Sequence, residues 1–138
     1  MESVRDILDT FSKADLIDLI IEYSDNGYYD LDLFLMRAKK QFSAEEIENN
    51  WNGFYVKAQS YTGASDDMGA DILRDGAELC FEQVKKLADL EQKRNLCNLL
   101  VAELTAAAEE DGIGMYTDSE WVYMEVRDRI KAYIEEEL

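Results

Sequence analysis

The sequence predicts an all-α fold of six to seven helices joined as antiparallel hairpins, either a compact bundle or a short helical-repeat stack. Three observations carry this expectation. Apolar residues recur at helical spacing along almost the whole chain, and no stretch alternates with period two for long enough to make a strand. Ser or Thr stands three residues before an acidic residue at three segment starts, the pattern of a capping box. The 138 residues contain no proline, although average usage would give about seven, so helix ends must be written by caps and glycines.

The segments follow in order. A short amphipathic helix carries Val4, Ile7, Leu8 and Phe11. Ser12 and Asp15 open a second, with Leu16, Ile17, Ile20, Ile21 and Tyr23 on one face, and Asp25, Asn26 and Gly27 close it. A third is expected in YYDLDLFLMRAKKQF, with Leu31, Phe34, Leu35, Ala38 and Phe42 at helical spacing and Lys39 and Lys40 complementing its C-terminal dipole. Ser43 and Glu46 form the next capping box, ahead of a stripe of Ile47, Trp51, Phe54, Tyr55 and Ala58 that YTGAS ends.

The fifth segment is expected from about Asp67 to Leu87, with Leu73, Ala77, Cys80, Phe81, Val84 and Leu87 inward. The sixth is expected from about Leu90 to Glu110, burying Leu96, Cys97, Leu100, Leu104 and Ala107. So few residues separate these two that they should pack as a hairpin. The seventh is expected to begin at a third capping box, Thr117 to Glu120, and to bury Val122, Val126, Ile130 and Tyr133 or Ile134.

A chain of this length that is 47% hydrophobic can bury a core, and one domain over 1–138 is expected. No apolar run approaches the roughly 20 residues needed to cross a bilayer, and MESVRDILDT has no basic-then-apolar leader, which points to a cytoplasmic protein. Cys80 and Cys97 lie within helical apolar patterns and are expected as buried, reduced thiols.

The formal charge is −17, and it is uneven, with 6 basic against 12 acidic groups over residues 1–61 and 8 against 19 over 62–138. Contact with nucleic-acid phosphates or an anionic membrane needs the opposite sign, so neither is expected as a partner. A basic protein partner would dock on the second half. An acidic face built around Asp66, Asp67, Glu109, Glu110 and Asp111, at two helix junctions, is the candidate for such docking.

The absence of histidine removes the commonest general base and zinc ligand, and no glycine-rich phosphate loop occurs. Catalysis would have to rest on carboxylates. The magnesium-dependent MazG-like pyrophosphohydrolases pair EExxE with ExxD on all-α scaffolds. ExxD occurs twice here, at Glu22 with Asp25 and Glu125 with Asp128, but the EExxE half is absent, since Glu45-Glu46 is followed by Asn49 and Glu109-Glu110 by Ile113. Solvated helix surface accounts for both pairs.

One stretch suggests calcium. With Glu109 as position 1, an EF-hand frame places Asp111 at position 3, Gly114 at 6, Thr117 at 9 and Glu120 at 12. Position 1 should be Asp, however, and position 5 is Ile113. The alternative assigns each residue a structural role, with Gly112 or Gly114 stopping a helix and Thr117 and Glu120 capping the next, so no metal or other cofactor is expected. Among the aromatic residues, Trp51, Tyr55, Trp121 and Tyr123 are expected as core anchors, an exposed one marking a binding face instead. Tyr28 and Tyr29, beside Gly27, are the aromatic pair expected at the surface.

The stretch FSKADLIDLIIEYSDNGYYDLDLFL resembles the start of the helical region in bacterial SWIM zinc-finger-containing proteins and related uncharacterised helical proteins. NNWNGFYVKAQSY and the segment from Gly69 to Leu104 are similar to the helices that follow there, and EEDGIG lies where that family carries an acidic-glycine turn, so the likeness spans about residues 11–115. It implies a helical-repeat scaffold that mediates protein interactions. The finger's CxC and CxH elements have no counterpart in a chain with two distant cysteines and no histidine. The leading functional expectation is therefore a non-enzymatic helical module that binds another protein. The alternatives are an acidic inhibitor, immunity protein or nucleic-acid mimic that occludes a basic partner and, behind it, a carboxylate-based metal-dependent hydrolase.

Overall fold

The computed structural model describes residues 3–25 and 41–138, and the protein is all-α. Its described helices are α1 (Val4–Asp9), α2 (Lys13–Asp25), α3 (Ala44–Gln59), α4 (Asp66–Lys85), α5 (Leu90–Glu109) and α6 (Trp121–Glu137), with a single 3-10 turn at Gly63–Ser65. The expected third segment as far as Lys40, together with Tyr28 and Tyr29, lies outside the described residues, and its last two residues, Gln41 and Phe42, are described and are not helical. The chain divides into two compact units, Met1–Lys40 and Gln41–Leu138.

In the first unit, α1 is opened by a capping box in which Ser3 accepts the Asp6 amide and Asp6 accepts the Ser3 amide. Ser12 accepts the Asp15 amide at 3.1 Å, as the sequence implied. Ile7, Phe11, Ile17 and Ile21 are exposed.

The second unit is a helical bundle organised on α4, which contacts α3, α5 and α6. The Ser43–Glu46 capping box starts α3 and both of its hydrogen bonds form. The core is the stripe that helical spacing predicted: Ile47, Trp51 and Ala58 of α3, Leu73, Ala77, Cys80 and Val84 of α4, Leu96, Leu100 and Leu104 of α5, and Val126 and Ile130 of α6. Each leucine, isoleucine and valine among them contributes about 1.5–3 kcal/mol by leaving water.

Two details set how closely the layers approach. Gly76 of α4 faces Phe54 of α3, and a Cβ there would lie 2.5 Å from the ring, so the absence of a side chain at 76 lets the helices close on each other. Trp51 is buried, and its indole N–H donates to Glu103 Oε2 of α5 at 3.1 Å, which satisfies the ring's one polar atom. Cys80 and Cys97 are buried free thiols, the first pushed up to about 12 by burial, the second to about 11 by burial that Lys93 partly offsets.

Candidate functional site

Two chain reversals meet in this bundle. After α3 the chain turns through Ser60 to Ser65, with the Tyr61 amide returning to the Ala58 carbonyl and the Ser65 amide to Thr62. After α5, the Asp111 amide returns to Ala106 and the Ile113 amide to Ala107, with Gly112 at positive φ. Asp66, the first residue of α4, joins the two reversals. It is only 5% exposed, its Oδ1 accepts the Gly114 amide at 2.6 Å, and its Oδ2 accepts the Tyr116 amide at 2.9 Å.

The segment beyond Gly112 is a compact joint. Gly114 has φ +87°, a conformation open to glycine at little cost, and a Cβ there would meet the Glu120 amide nitrogen at 2.8 Å. The Ser119 amide donates to the Gly114 carbonyl at 2.7 Å, and the Tyr123 hydroxyl donates to the Ile113 carbonyl from beneath. Burial is the main cause that holds the Tyr123 hydroxyl far above the usual phenol range, with Glu120 and Asp66 adding to it.

This geometry corrects the expected third capping box. Asp118 takes a left-handed conformation and Thr117 pairs with Ser119 at 2.8 Å, so the chain is still turning where the box was expected. α6 begins at Trp121, and Glu120 precedes it with helical dihedrals and no side-chain cap bond. One Glu120 carboxylate oxygen is buried without a hydrogen-bond partner. The EF-hand frame is accordingly built as a helix joint: Ile113 at position 5 is buried, and Asp111 at position 3 accepts from Tyr55 and Gln59. Among the described residues no group of three acidic or cysteine side chains is placed to hold a metal ion. Glu125 and Asp128 are exposed on α6, and Asp128 pairs with Arg127 at 2.9 Å.

A cleft of about 360 Å³ opens between the two reversals, lined by Gln59, Tyr61, Asp66, Asp111, Gly112 and Tyr116 among others. Asp111 Oδ2 accepts the Tyr55 hydroxyl and, at 3.4 Å, the Gln59 amide. Burial first, then the Asp111 hydrogen bond, raises the Tyr55 hydroxyl well above the usual phenol range, so it stays a donor.

Of the five acidic residues proposed from sequence as one face, Asp66 and Asp111 line this cleft together. Asp66 is inside and engaged by amides, whereas Asp67, Glu109, Glu110 and Asp111 are exposed. Among the aromatics, Trp51 and Tyr123 are buried and Tyr55 is partly buried, but Trp121 is 60% exposed. The inward stripe of α6 is Tyr123, Val126 and Ile130, and a residue two positions earlier points about 200° away from it. Sequence reading did not find Met115 and Tyr116, which are 61% and 74% exposed. Their position in a glycine-rich turn was the available signal, since a turn cannot bury large side chains by periodicity. Compared with protein-family models, curated proteins and solved structures, the chain matches none.

Proposed function

We propose that this protein is a non-enzymatic helical module that binds another protein through the 112–121 joint. The observation that supports this reading is the exposure of Met115, Tyr116 and Trp121 on one short segment whose backbone is fixed by Asp66, Gly114 and Tyr123. Aromatic side chains held out on a rigid backbone lose little entropy when covered, and Trp and Tyr dominate binding hot spots. The test is parallel affinity capture with the wild-type chain and with the Tyr116→Ala/Trp121→Ala variant, at low and high salt. A partner held by the wild type at both salts and lost by the variant is expected. Equal recovery by both overturns the reading.

The second reading, an acidic neutraliser of a basic protein, is favoured by the exposure of Asp67, Glu109, Glu110 and Asp111 at the helix ends around the joint. Capture that disappears at high salt, and on charge reversal of those four residues, while surviving the aromatic variant, selects it.

A further inference from the structure

The cleft beside the joint has a chemistry of its own. Asp66 is a carboxylate almost wholly removed from solvent, and both of its oxygens are stabilised by backbone amides. Asp111 shares the same lining. Among the described residues neither has a cationic partner, and the lining contains no lysine or arginine. Two carboxylates on one concavity with no lysine or arginine in its lining leave that surface negative.

A second, independent feature indicates what size and type of group fits there. The concavity is large enough for a side-chain-sized guest, and Tyr61 and Tyr116 contribute to its wall. Aromatic faces together with a carboxylate form the surroundings that attract an organic cation. The pattern of used oxygens then narrows the class. Asp111 Oδ2 is occupied by two donors, Tyr55 and Gln59, while Oδ1 accepts from no described residue, so one oxygen is left to receive a donor. A guanidinium prefers a bidentate carboxylate, whereas an ammonium is a point charge that one oxygen suffices to hold.

We propose that this cleft receives the ε-ammonium group of a lysine side chain from the protein partner, between Tyr61 and Tyr116 and against Asp111 Oδ1. The inference rests on the partner-binding reading above and makes its recognition specific: Tyr116 belongs both to the exposed joint and to the cleft wall, so a partner covering the joint would present its lysine to the cleft.

The experiment needs no partner, which separates its failure from failure of the broader reading. Backbone amide resonances of the full chain are followed by nuclear magnetic resonance during titration with Nα-acetyl-lysine methylamide. The norleucine analogue, the arginine analogue and calcium chloride are run as separate arms. Saturable shifts at Gly63, Gly112, Gly114 and Tyr116 are expected for the lysine compound and none for norleucine. Asp111→Asn, which keeps an oxygen for Tyr55, should weaken binding by about tenfold. Tyr116→Ala, which leaves the Asp66 to backbone bond intact, should weaken it as well. No saturable shift, equal shifts with norleucine, tighter binding of arginine or calcium, or undiminished binding in both variants overturns the assignment.

Discussion

Asp66 Oδ1 accepts the amide of Gly114 at 2.6 Å, and this contact between residues 48 apart fastens the start of α4 to the joint that precedes α6. It is reinforced by the Tyr116 amide on the other oxygen of the same carboxylate. Asp66→Ala should therefore leave two amides without their acceptor and destabilise the bundle by about 2–4 kcal/mol, read from urea unfolding. Asp66→Asn, which keeps one acceptor, should cost less. Equal stability of Asp66→Ala and wild type would show that water replaces the carboxylate without penalty.

Gly76→Ala should destabilise by about 1–3 kcal/mol, because the added methyl collides with the Phe54 ring. Truncation at 54 removes the Cγ and Cδ2 atoms that a Cβ at 76 would strike, so the Gly76→Ala/Phe54→Ala double variant should be more stable than the sum of the two single changes implies. Strict additivity in thermal unfolding would contradict the close packing.

Glu120 caps nothing, and one of its oxygens is buried without a hydrogen-bond partner. Glu120→Gln should leave the melting temperature unchanged or raise it, and millimolar calcium should have no effect on either protein. A loss of about 1 kcal/mol in Glu120→Ala, which removes any cap that glutamine could still supply, would indicate a capping role, and a calcium-dependent rise confined to wild type would indicate an ion site.

The buried thiols give a pH dependence with a defined sign. An unfolded thiol ionises around the ordinary value of 9.0, whereas the folded chain holds the protons of Cys97 to about 11 and of Cys80 to about 12. Their contribution is fully present below pH 9 and is lost as pH rises through that window. Unfolding free energy should fall between pH 9 and 11 less steeply in Cys80→Ala than in wild type, and native thiol labelling at pH 8 should be slow at both positions.

The two tryptophans should report different surroundings. Trp51 is buried and Trp121 is exposed, so acrylamide should quench only part of the native fluorescence, and Trp121→Phe should leave a blue-shifted emission that resists quenching. Complete quenching of that variant would contradict the burial of Trp51.

Periodicity made the helices legible because a core-facing stripe repeats every three or four residues, and so the inward residues of α3, α4 and α5 stood out in the sequence. Two of the capping pairs read from sequence were equally legible, since Ser12 with Asp15 and Ser43 with Glu46 are local contacts. Thr117 and Glu120 carry the same letters, but the chain there is bent by Gly114 and Asp118 and held by Ser119, so local spelling lost to a non-local constraint. The candidate site was legible only as a list of acids. Asp66 reads as one more helix-start aspartate, and its bonds to Gly114 and Tyr116 join residues whose relation no window of sequence contains. Trp121 was misplaced for a related reason: once the helix starts at Trp121, its stripe begins at Tyr123.

The Asp66 clasp also bears on the order in which the second unit folds. The α4–α5 connection is short, and α5 and α6 are joined only by the compact joint, so pairing of neighbouring helices needs little loop closure. The Asp66 contact needs the chain between residues 66 and 114 to be brought back on itself first, with the turn at Gly112 and Gly114 in place. It should form after the rate-limiting step. Removing it should leave the refolding rate nearly unchanged and accelerate unfolding, so that this one carboxylate governs how long the native state lasts rather than how fast it is reached.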